Sequence, residues 1–381
     1  MDSSQQTSTI PPATTGPARD EHRAPLAEDL EQIVSRVGSL WESLRGGTLL
    51  VSGGTGFFGR WLLESFVEAD RRLGLEARLI VLSRNPDRFR AAFPALAEAR
   101  SVALVAGDVR TFRSGDLQSR LGSASPRRIS HFIHAASETT VLANRDHPLG
   151  VLETAYEGTR SLLDLAESVG AERFLLTSSG AVYGTQPVDL ERVPETFCGA
   201  PDVRAPMSAY GEGKRVAELL CNARTQAGTI DCRIARCFAF VGPHLALDAH
   251  YAIGNFLRDA LAGRTLQVHG DGTPWRSYLY AADLAVWLWT LLLHPDAKGT
   301  YNVGSDEALT IAEVAERVSR LSPAGSAVQI AQPADSQRPG ARYVPDISRA
   351  RRELGLDVWT SLDAAISKTL RFHQLNPRTL L

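Results

Sequence analysis

A tyrosine and a lysine four residues apart, Tyr210 and Lys214, are the pair best suited to chemistry in this sequence. On a helix, positions i and i+4 share one face, so the ammonium stands beside the phenol and depresses its pKa electrostatically. Tyr210 then serves as an acid or base near neutral pH. Upstream, Thr177-Ser178-Ser179-Gly180-Ala181-Val182-Tyr183-Gly184 closes a strand pattern, and Ser179 there can orient a substrate oxygen and share its proton. A Tyr-Lys spacing of four arises by chance in many helices, so its weight depends on what precedes it.

What precedes it is Val51-Ser52-Gly53-Gly54-Thr55-Gly56-Phe57-Phe58-Gly59, which leaves a strand, turns through glycines and enters a helix. Gly53 permits the tight turn, Gly56 lets backbone approach a pyrophosphate, and Gly59 allows close helix-to-strand packing. The helix N-terminus adds amide donors and a favourable dipole. With Thr55, Phe57 and Phe58 in the same turn, this is the pattern of a dinucleotide site. The second strand ends in Leu82-Ser83-Arg84-Asn85. A carboxylate there would repel a 2′-phosphate, whereas Ser83 and Arg84 can hold one, which favours NADP over NAD. The competing reading of Arg84 is a solvated surface charge. Asp108 and Val109 follow the third strand, and Ala135, Ala136 and Ser137 follow the fourth. Asp108 is placed to contact adenine, and the two alanines leave room for the cofactor.

The elements that must hold these residues are readable as alternating strands and helices: 48–52, 58–69, 78–83, 102–106, 131–134, 152–169, 173–177, 209–223 and 232–240. Such alternation indicates an α/β fold, a doubly wound parallel sheet covered on both faces. We therefore expect a Rossmann domain over 48–242 and a smaller C-terminal substrate-binding lobe over 243–381, with some of the latter's elements returning to the sheet. Residues 1–25, rich in Ser, Thr, Gln and Pro, are expected to be a disordered leader. Over 26–47, Leu30, Ile33, Val34, Val37, Leu40, Trp41 and Leu44 recur at helical spacing before Gly46-Gly47. This amphipathic helix is expected to pack on the catalytic domain or a sister subunit; the alternative is a docking helix for another protein.

The 381 residues carry 41 Lys and Arg against 43 Asp and Glu, a balance with no field for nucleic acid or an acidic membrane. The most apolar run, 284–293, is far shorter than the roughly 20 residues of a membrane span and reads as a buried or interface helix. No basic segment followed by an apolar one opens the chain, and a cytoplasmic location is expected. Cys198, Cys221, Cys232 and Cys237 form no CxxC pair and read as buried thiols of a reducing compartment. His131, His134, His244 and His250 lack metal-ligand spacing, so no metal is expected. Trp275, Trp287 and Trp289 read as packing residues.

With these motifs in this order, the sequence from Thr48 to about Leu370 resembles the extended short-chain dehydrogenase/reductases, the group of NAD-dependent epimerases and dehydratases of nucleotide sugars. The resemblance rests on the glycine segment, on Ser179 ahead of Val182-Tyr183-Gly184, on Tyr210 with Lys214, and on Gly270-Asp271-Gly272 through Arg276. It implies hydride transfer between a sugar carbon, usually C4, and a nicotinamide, with Tyr210 handling the hydroxyl proton and Lys214 binding the nicotinamide ribose. It further implies that Arg276 contacts the nucleotide phosphates and that 244–267 shapes the nucleotide-sugar pocket. Arg338, Arg342 and Asp346 resemble the family's late substrate segment, against a solvated-surface reading. A homodimer formed through 152–169 and 209–223 is implied as well. Dehydratases of the family place Asp and Glu directly after the residue matching Ser179, and decarboxylases tend to carry Glu in that loop; here the positions are Gly180 and Ala181. Ala239 stands where many relatives have a substrate-touching Asn, and Asn255 is the candidate to compensate. The leading expectation is thus a nucleotide-sugar epimerase, with an NADPH-dependent ketosugar reductase as alternative and dehydratase or decarboxylase activity disfavoured. A non-catalytic dinucleotide sensor and a reductase of non-sugar carbonyls are further alternatives.

Overall fold

The structure, a computed structural model, describes residues 24–126, 128–138, 141–247, 251–323, 325–335, 337 and 340–376, with the backbone alone at 24 and 141–143. Most of the expected leader, His250 and Arg338 lie outside the described residues.

Helix α1 (Ala27–Val37) continues into a 3₁₀ turn, Gly38–Leu44. Leu30, Ile33, Val34 and Val37 are buried at spacings of three and four, the stripe of a helix lying on a core. They meet α2 (Phe57–Leu73) and the helix Ala281–Leu293. Trp41 is fully buried, with its ring centroid 4.8 Å from that of Trp289. Buried Asp29 accepts hydrogen bonds from Tyr280 Oη at 2.6 Å and Lys368 Nζ at 2.5 Å. The apolar stripe is thus taken up by the chain's own core, which answers the docking-helix alternative.

The central sheet has seven strands, all paired in parallel: β1 (Thr48–Ser52), β2 (Arg78–Ser83), β3 (Val102–Ala106), β4 (His131–His134), β5 (Arg173–Ser179), β6 (Asp231–Cys237) and β7 (Gly299–Val303). Their spatial order is β7-β6-β5-β4-β1-β2-β3, so the winding reverses between β1 and β4. In such sheets the crevice outside the carboxyl ends at the reversal is where ligands bind. Further helices include α3 (Pro86–Ala92), α4 (Pro148–Ser168), α5 (Ala209–Gln226), α6 (Ala252–Leu261), α7 (Ala281–Leu293) and α8 (Leu362–Leu375). The expected strand over 232–240 stops at Cys237, and Phe240–Val241 pairs separately with Leu279–Tyr280. β7 has no forecast in the apolar pattern, because Gly-Thr-Tyr-Asn-Val is half polar. It joins the sheet from the C-terminal part of the chain.

Every residue of α7 is buried, as its composition requires. A buried helix end leaves carbonyls that need donors. Two arginines from the sheet supply them. Arg233, 1% exposed, donates through Nη1 to the carbonyls of Leu291, Leu292 and His294, and Arg173 donates to Leu293 at 2.6 Å. These cations also lie near buried His131, whose pKa burial and their charge lower to about 4. A histidine kept neutral in the fold adds stability that is complete above its unfolded pKa near 6.5 and is lost as pH falls towards 4. We expect urea unfolding free energies to decline through this window, and His131→Asn to flatten the decline by about 3 kcal/mol. Parallel pH profiles for the two proteins would refute the assignment.

Candidate active site

Gly53 is where β1 turns, at φ +73°, a conformation glycine adopts freely. A Cβ there would lie 2.5 Å from Ala136 N and 2.6 Å from Ala135 O, so backbone meets backbone and no side chain fits. Gly59 is equally confined, against Gly53 O and Gly54 on the turn it packs beneath. Gly56 caps α2 in extended conformation, which aims the helix's first amides into the crevice. Phe57 and Phe58 contribute those amides, while the Phe58 ring packs edge-on against Phe240 at 5.0 Å. A cleft of about 420 Å³ runs from here past Ser83, Arg84, Asp108, Val109, Ala135, Ala136 and Ser137, with Gly53, Thr55 and Gly56 in its floor.

Two observations modify the expected phosphate site. Arg84 is largely exposed and faces Glu138 at 3.7 Å, so a carboxylate does reach this edge, from the loop after β4. Arg60 and Arg88, which the glycine pattern does not single out, also line the cleft. The Arg60 guanidinium stacks 4.3 Å over Phe93, and its Nη1 lies 3.5 Å from His244 Nδ1, whose Nε2 is 2.9 Å from Glu64. Its Nε is buried with no hydrogen-bond partner among the described residues, and burial lowers its pKa. A buried donor of this kind suits an anionic ligand. The glycine cradle and the orphaned Arg60 donor together fit a dinucleotide. Asp108 is held by Arg110 at 2.7 Å, and hydrogen bonds from that guanidinium keep its carboxyl below the usual range.

The end of β5 distributes three consecutive groups. The Thr177 carbonyl accepts from Lys214 Nζ at 2.7 Å. Ser178 Oγ donates to Glu218 at 2.5 Å, and Glu218 is paired with Arg236 at 2.7 Å. Ser179 Oγ accepts from Ala181 N at 3.1 Å. Side chains alternate along a strand, so Ser178 turns to the inner network and Ser179 to the crevice. α5 brings Tyr210 to Ser179, with the Lys214 ammonium 6.0 Å from the phenol's ring centroid. Ser179 and Ser137 stand near enough to Tyr210 to act against the rise of its pKa, which brings one expected cofactor residue beside the expected catalytic trio. The expected acidification by Lys214 is not what governs the protein's own groups. Burial dominates, raising Tyr210 to about 12 and lowering Lys214 to about 8.

On the substrate side, the short strands Trp275–Arg276, Leu309–Thr310 and Arg342–Tyr343 form a small sheet in which Arg342 pairs with Trp275 and Tyr343 with Arg276. Alternation puts Arg342 on the far face, 4.7 Å over the Trp275 ring, and Tyr343 on the near one with Arg276. Tyr343, unmarked in the sequence, stands over Gly180 at the end of β5 in place of Arg342, its Oη 2.7 Å from where a Cβ at 180 would lie. Asn255 sits on α6 one turn after Tyr251, which lies near Tyr210; no hydrogen bond among the described residues joins the Asn255 side chain to the trio.

A parallel sheet with a dinucleotide cradle at its reversal and a Ser-Tyr-Lys trio beside it defines a nicotinamide-dependent oxidoreductase class. Residues 49–304 match the NAD dependent epimerase/dehydratase family, and the chain belongs to it. UDP-glucuronic acid decarboxylase 1 of Xenopus tropicalis is 31% identical over 255 residues, 65% of this chain and 58% of that protein. UDP-glucuronic acid decarboxylase 5 of Arabidopsis thaliana is 29% identical over 320 residues, 81% of this chain and 83% of the relative. The chain thus spans little more than half the length of several curated relatives. Among solved structures, a dTDP-glucose 4,6-dehydratase of Streptomyces venezuelae with NAD bound superposes with TM-score 0.72 at 25% identity, covering 87% of this chain and 98% of that one. UDP-glucose 4-epimerase of Thermotoga maritima, solved with UDP-glucose, shares the fold with TM-score 0.71 at 19% identity, covering 87% and 99%.

Because the Gly53 cradle is backbone against backbone, even one methyl should spoil it. Gly53→Ala is expected to weaken dinucleotide binding at least ~10-fold in a fluorescence titration, roughly the loss of one charge-assisted hydrogen bond. Unchanged affinity would show that the phosphates bind elsewhere.

Proposed function

We propose that this protein oxidises a sugar hydroxyl, at C4, of a nucleotide-activated sugar, using a dinucleotide it retains, and returns hydride to the same carbon from the other face: a nucleotide-sugar epimerase. The observation that carries this reading is the meeting of Tyr210, Ser179 and Lys214 at the carboxyl end of β5, beside the dinucleotide crevice. Tyr210 takes the hydroxyl proton, Ser179 holds the same oxygen, and Lys214 keeps a proton and a positive charge on the cofactor side. The bound dinucleotide supplies the hydride acceptor, and the protein supplies orientation. Gly180 and Ala181 offer no acid or base to expel water, which weighs against dehydration.

Decarboxylation needs a second hearing. Oxidation at C4 of a sugar carrying a C6 carboxylate yields a β-keto acid, which loses carbon dioxide without a proton donor in the loop. The relatives named as UDP-glucuronic acid decarboxylases favour this outcome at least as much as epimerisation, so the absence of Glu at 181 is not decisive. Both products follow from the same first step.

For the cofactor we favour NADP. Arg60, Arg84 and Arg88 line one cleft, where Glu138 faces Arg84. We further propose a homodimer through α4 and α5, which pack together and leave Leu149 and Leu219 exposed, and a cytoplasmic location, consistent with four thiols outside any disulfide, of which Cys198 is exposed, against the expectation of burial, and Cys221, Cys232 and Cys237 are buried. Among the described residues no helix is long and apolar enough to cross a membrane.

The test is to identify the dinucleotide released on denaturing the purified protein, then to incubate the native protein with UDP-glucose, UDP-galactose and UDP-glucuronic acid without added cofactor. An isomer of unchanged mass establishes epimerisation, and loss of carbon dioxide establishes the second reading. Turnover confined to a ketosugar with added NADPH, or loss of water, would overturn both. Tyr210→Phe should lower whichever activity appears by about 10²-fold or more. For the cofactor, Arg60→Ala should weaken NADP about 10-fold while leaving NAD nearly unaffected, the size of one charge-assisted contact. Equal losses would place Arg60 on the shared pyrophosphate and remove the case for NADP.

A further inference from the structure

We propose that His244 is a positioning residue for the dinucleotide: its imidazole, set between Glu64 and Arg60, keeps the Arg60 guanidinium turned to the cleft, where without it the arginine would fold back onto the carboxylate. This rests on the reading of Arg60 as a ligand of the dinucleotide's phosphates.

The geometry begins on α2. Arg60 and Glu64 are four residues apart, so they share one face of the helix at the spacing of an ion pair. A direct pair would satisfy the guanidinium inside the protein and draw it from the cleft it lines. The structure sets a ring between them. His244 Nε2 stands 2.9 Å from Glu64 Oε1, and Nδ1 stands 3.5 Å from Arg60 Nη1.

The direction of these contacts follows from their donors. A guanidinium has only N–H groups, so Nδ1 is the acceptor towards Arg60, and Nε2 then carries the ring proton and donates it to the carboxylate. The contact at 3.5 Å is the weaker of the two, so Glu64 holds the ring and the ring keeps the two charges apart. Arg60 is left with a donor to give: its Nε is buried and meets no hydrogen-bond partner among the described residues, while the guanidinium lies 4.3 Å over the Phe93 ring. A cation fixed in this way beside a cleft suits an anion there.

The loop after Phe240–Val241 is built to deliver His244. Trp61, next to Arg60 on α2, donates from Nε1 to the Pro243 carbonyl at 3.0 Å. His244 then takes φ +71°, the left-handed region that residues with a side chain rarely occupy. Its ring centroid lies 5.0 Å from that of Phe372, 6.1 Å from Trp61 and 6.3 Å from Phe93, and its side chain is almost wholly buried. An imidazole held among three rings on an uncommon backbone, with each nitrogen against a charged group of α2, is placed for those groups.

The test is NADP affinity, read by fluorescence titration of the full-length protein with folding checked by circular dichroism. His244→Phe keeps the ring packing and removes both nitrogens. It should weaken NADP about 5-fold, most of the loss expected of Arg60→Ala. Adding Glu64→Gln should restore affinity to within about 2-fold, because the carboxylate that captures Arg60 is gone. In an Arg60→Ala background His244→Phe should change nothing, since its effect passes through Arg60. If His244→Phe does not fold, His244→Asn, too short to span both partners and suited to the left-handed region, is read in its place with the same expectations. Unchanged affinity in the single variant, a double variant with Glu64→Gln that binds no better, or a full loss in the Arg60→Ala background each overturns the proposal. Failure of the Arg60 reading shows itself separately, as normal NADP affinity in Arg60→Ala, and the proposal falls with it; a weakened Arg60→Ala beside a normal His244→Phe marks failure of the proposal alone.

Discussion

Two strand ends lie so close at the reversal of the sheet that only bare backbone fits between them. β1 turns at Gly53 against the peptide joining Ala135 and Ala136 at the end of β4, and the connections then part, one towards β2 and the other towards β5. The divergence opens the crevice, and the closeness points the start of α2 into it. Ser52 Oγ and His134 Nδ1, 2.7 Å apart, pin the two strands immediately beneath. His134 is completely buried and its pKa falls to about 3, so the pin is a neutral one and puts no charge under the cofactor. A side chain at 53, or an ionised histidine at 134, would push apart the surfaces that make the cradle.

The proposed catalytic side is fastened to the sheet by polar contacts on two successive residues of β5, Thr177 and Ser178. α5 is held through Lys214 on the Thr177 carbonyl and, four residues later, through Glu218 on Ser178, so its first turn with Tyr210 has little freedom. The Glu218–Arg236 pair would be costly to bury alone. It is satisfied because Arg236 also lies 4.6 Å over the Tyr183 ring, whose hydroxyl donates to Asn302 on β7 at 2.7 Å. A strand from the C-terminal part of the chain thus stiffens the loop that follows Ser179. Position at the reacting centre is a property of the whole sheet.

The local rules of helix and strand made much of this legible. Gly53, Gly56 and Gly59 flank a turn whose neighbours are both readable, and Tyr210 with Lys214 needs only helical spacing. Contacts built from distant parts of the chain were not legible. β7 hides in a half-polar pentapeptide, since Asn302 is buried by the network it joins, not by its own apolarity. Arg60 follows the last glycine of the motif, a position whose exposure the pattern does not set. Glu138 approaches Arg84 from the loop after another strand, β4. The choice between Arg342 and Tyr343 turned on the register of a two-residue strand, where a shift of one exchanges the faces. The acid strength of Tyr210 was misjudged for a related reason: helical spacing reports the nearby lysine and says nothing of how deeply the phenol is buried.

That misjudgement bears on how the site works. Burial moves Tyr210 and Lys214 in opposite senses along the pH scale but to the same end, since each is driven towards its neutral form. The protein's own groups therefore resist making a phenolate, and Tyr210 holds its proton. A dinucleotide held by the crevice residues would supply a positive charge when oxidised, which would favour the phenolate, and none when reduced. In the proposed reaction Tyr210 would then act as a base while the bound dinucleotide is oxidised and as an acid when it is reduced. A desolvated site with no carboxylate at 180 or 181 is suited to this, because any fixed negative charge nearby would further oppose the phenolate at the moment it is needed.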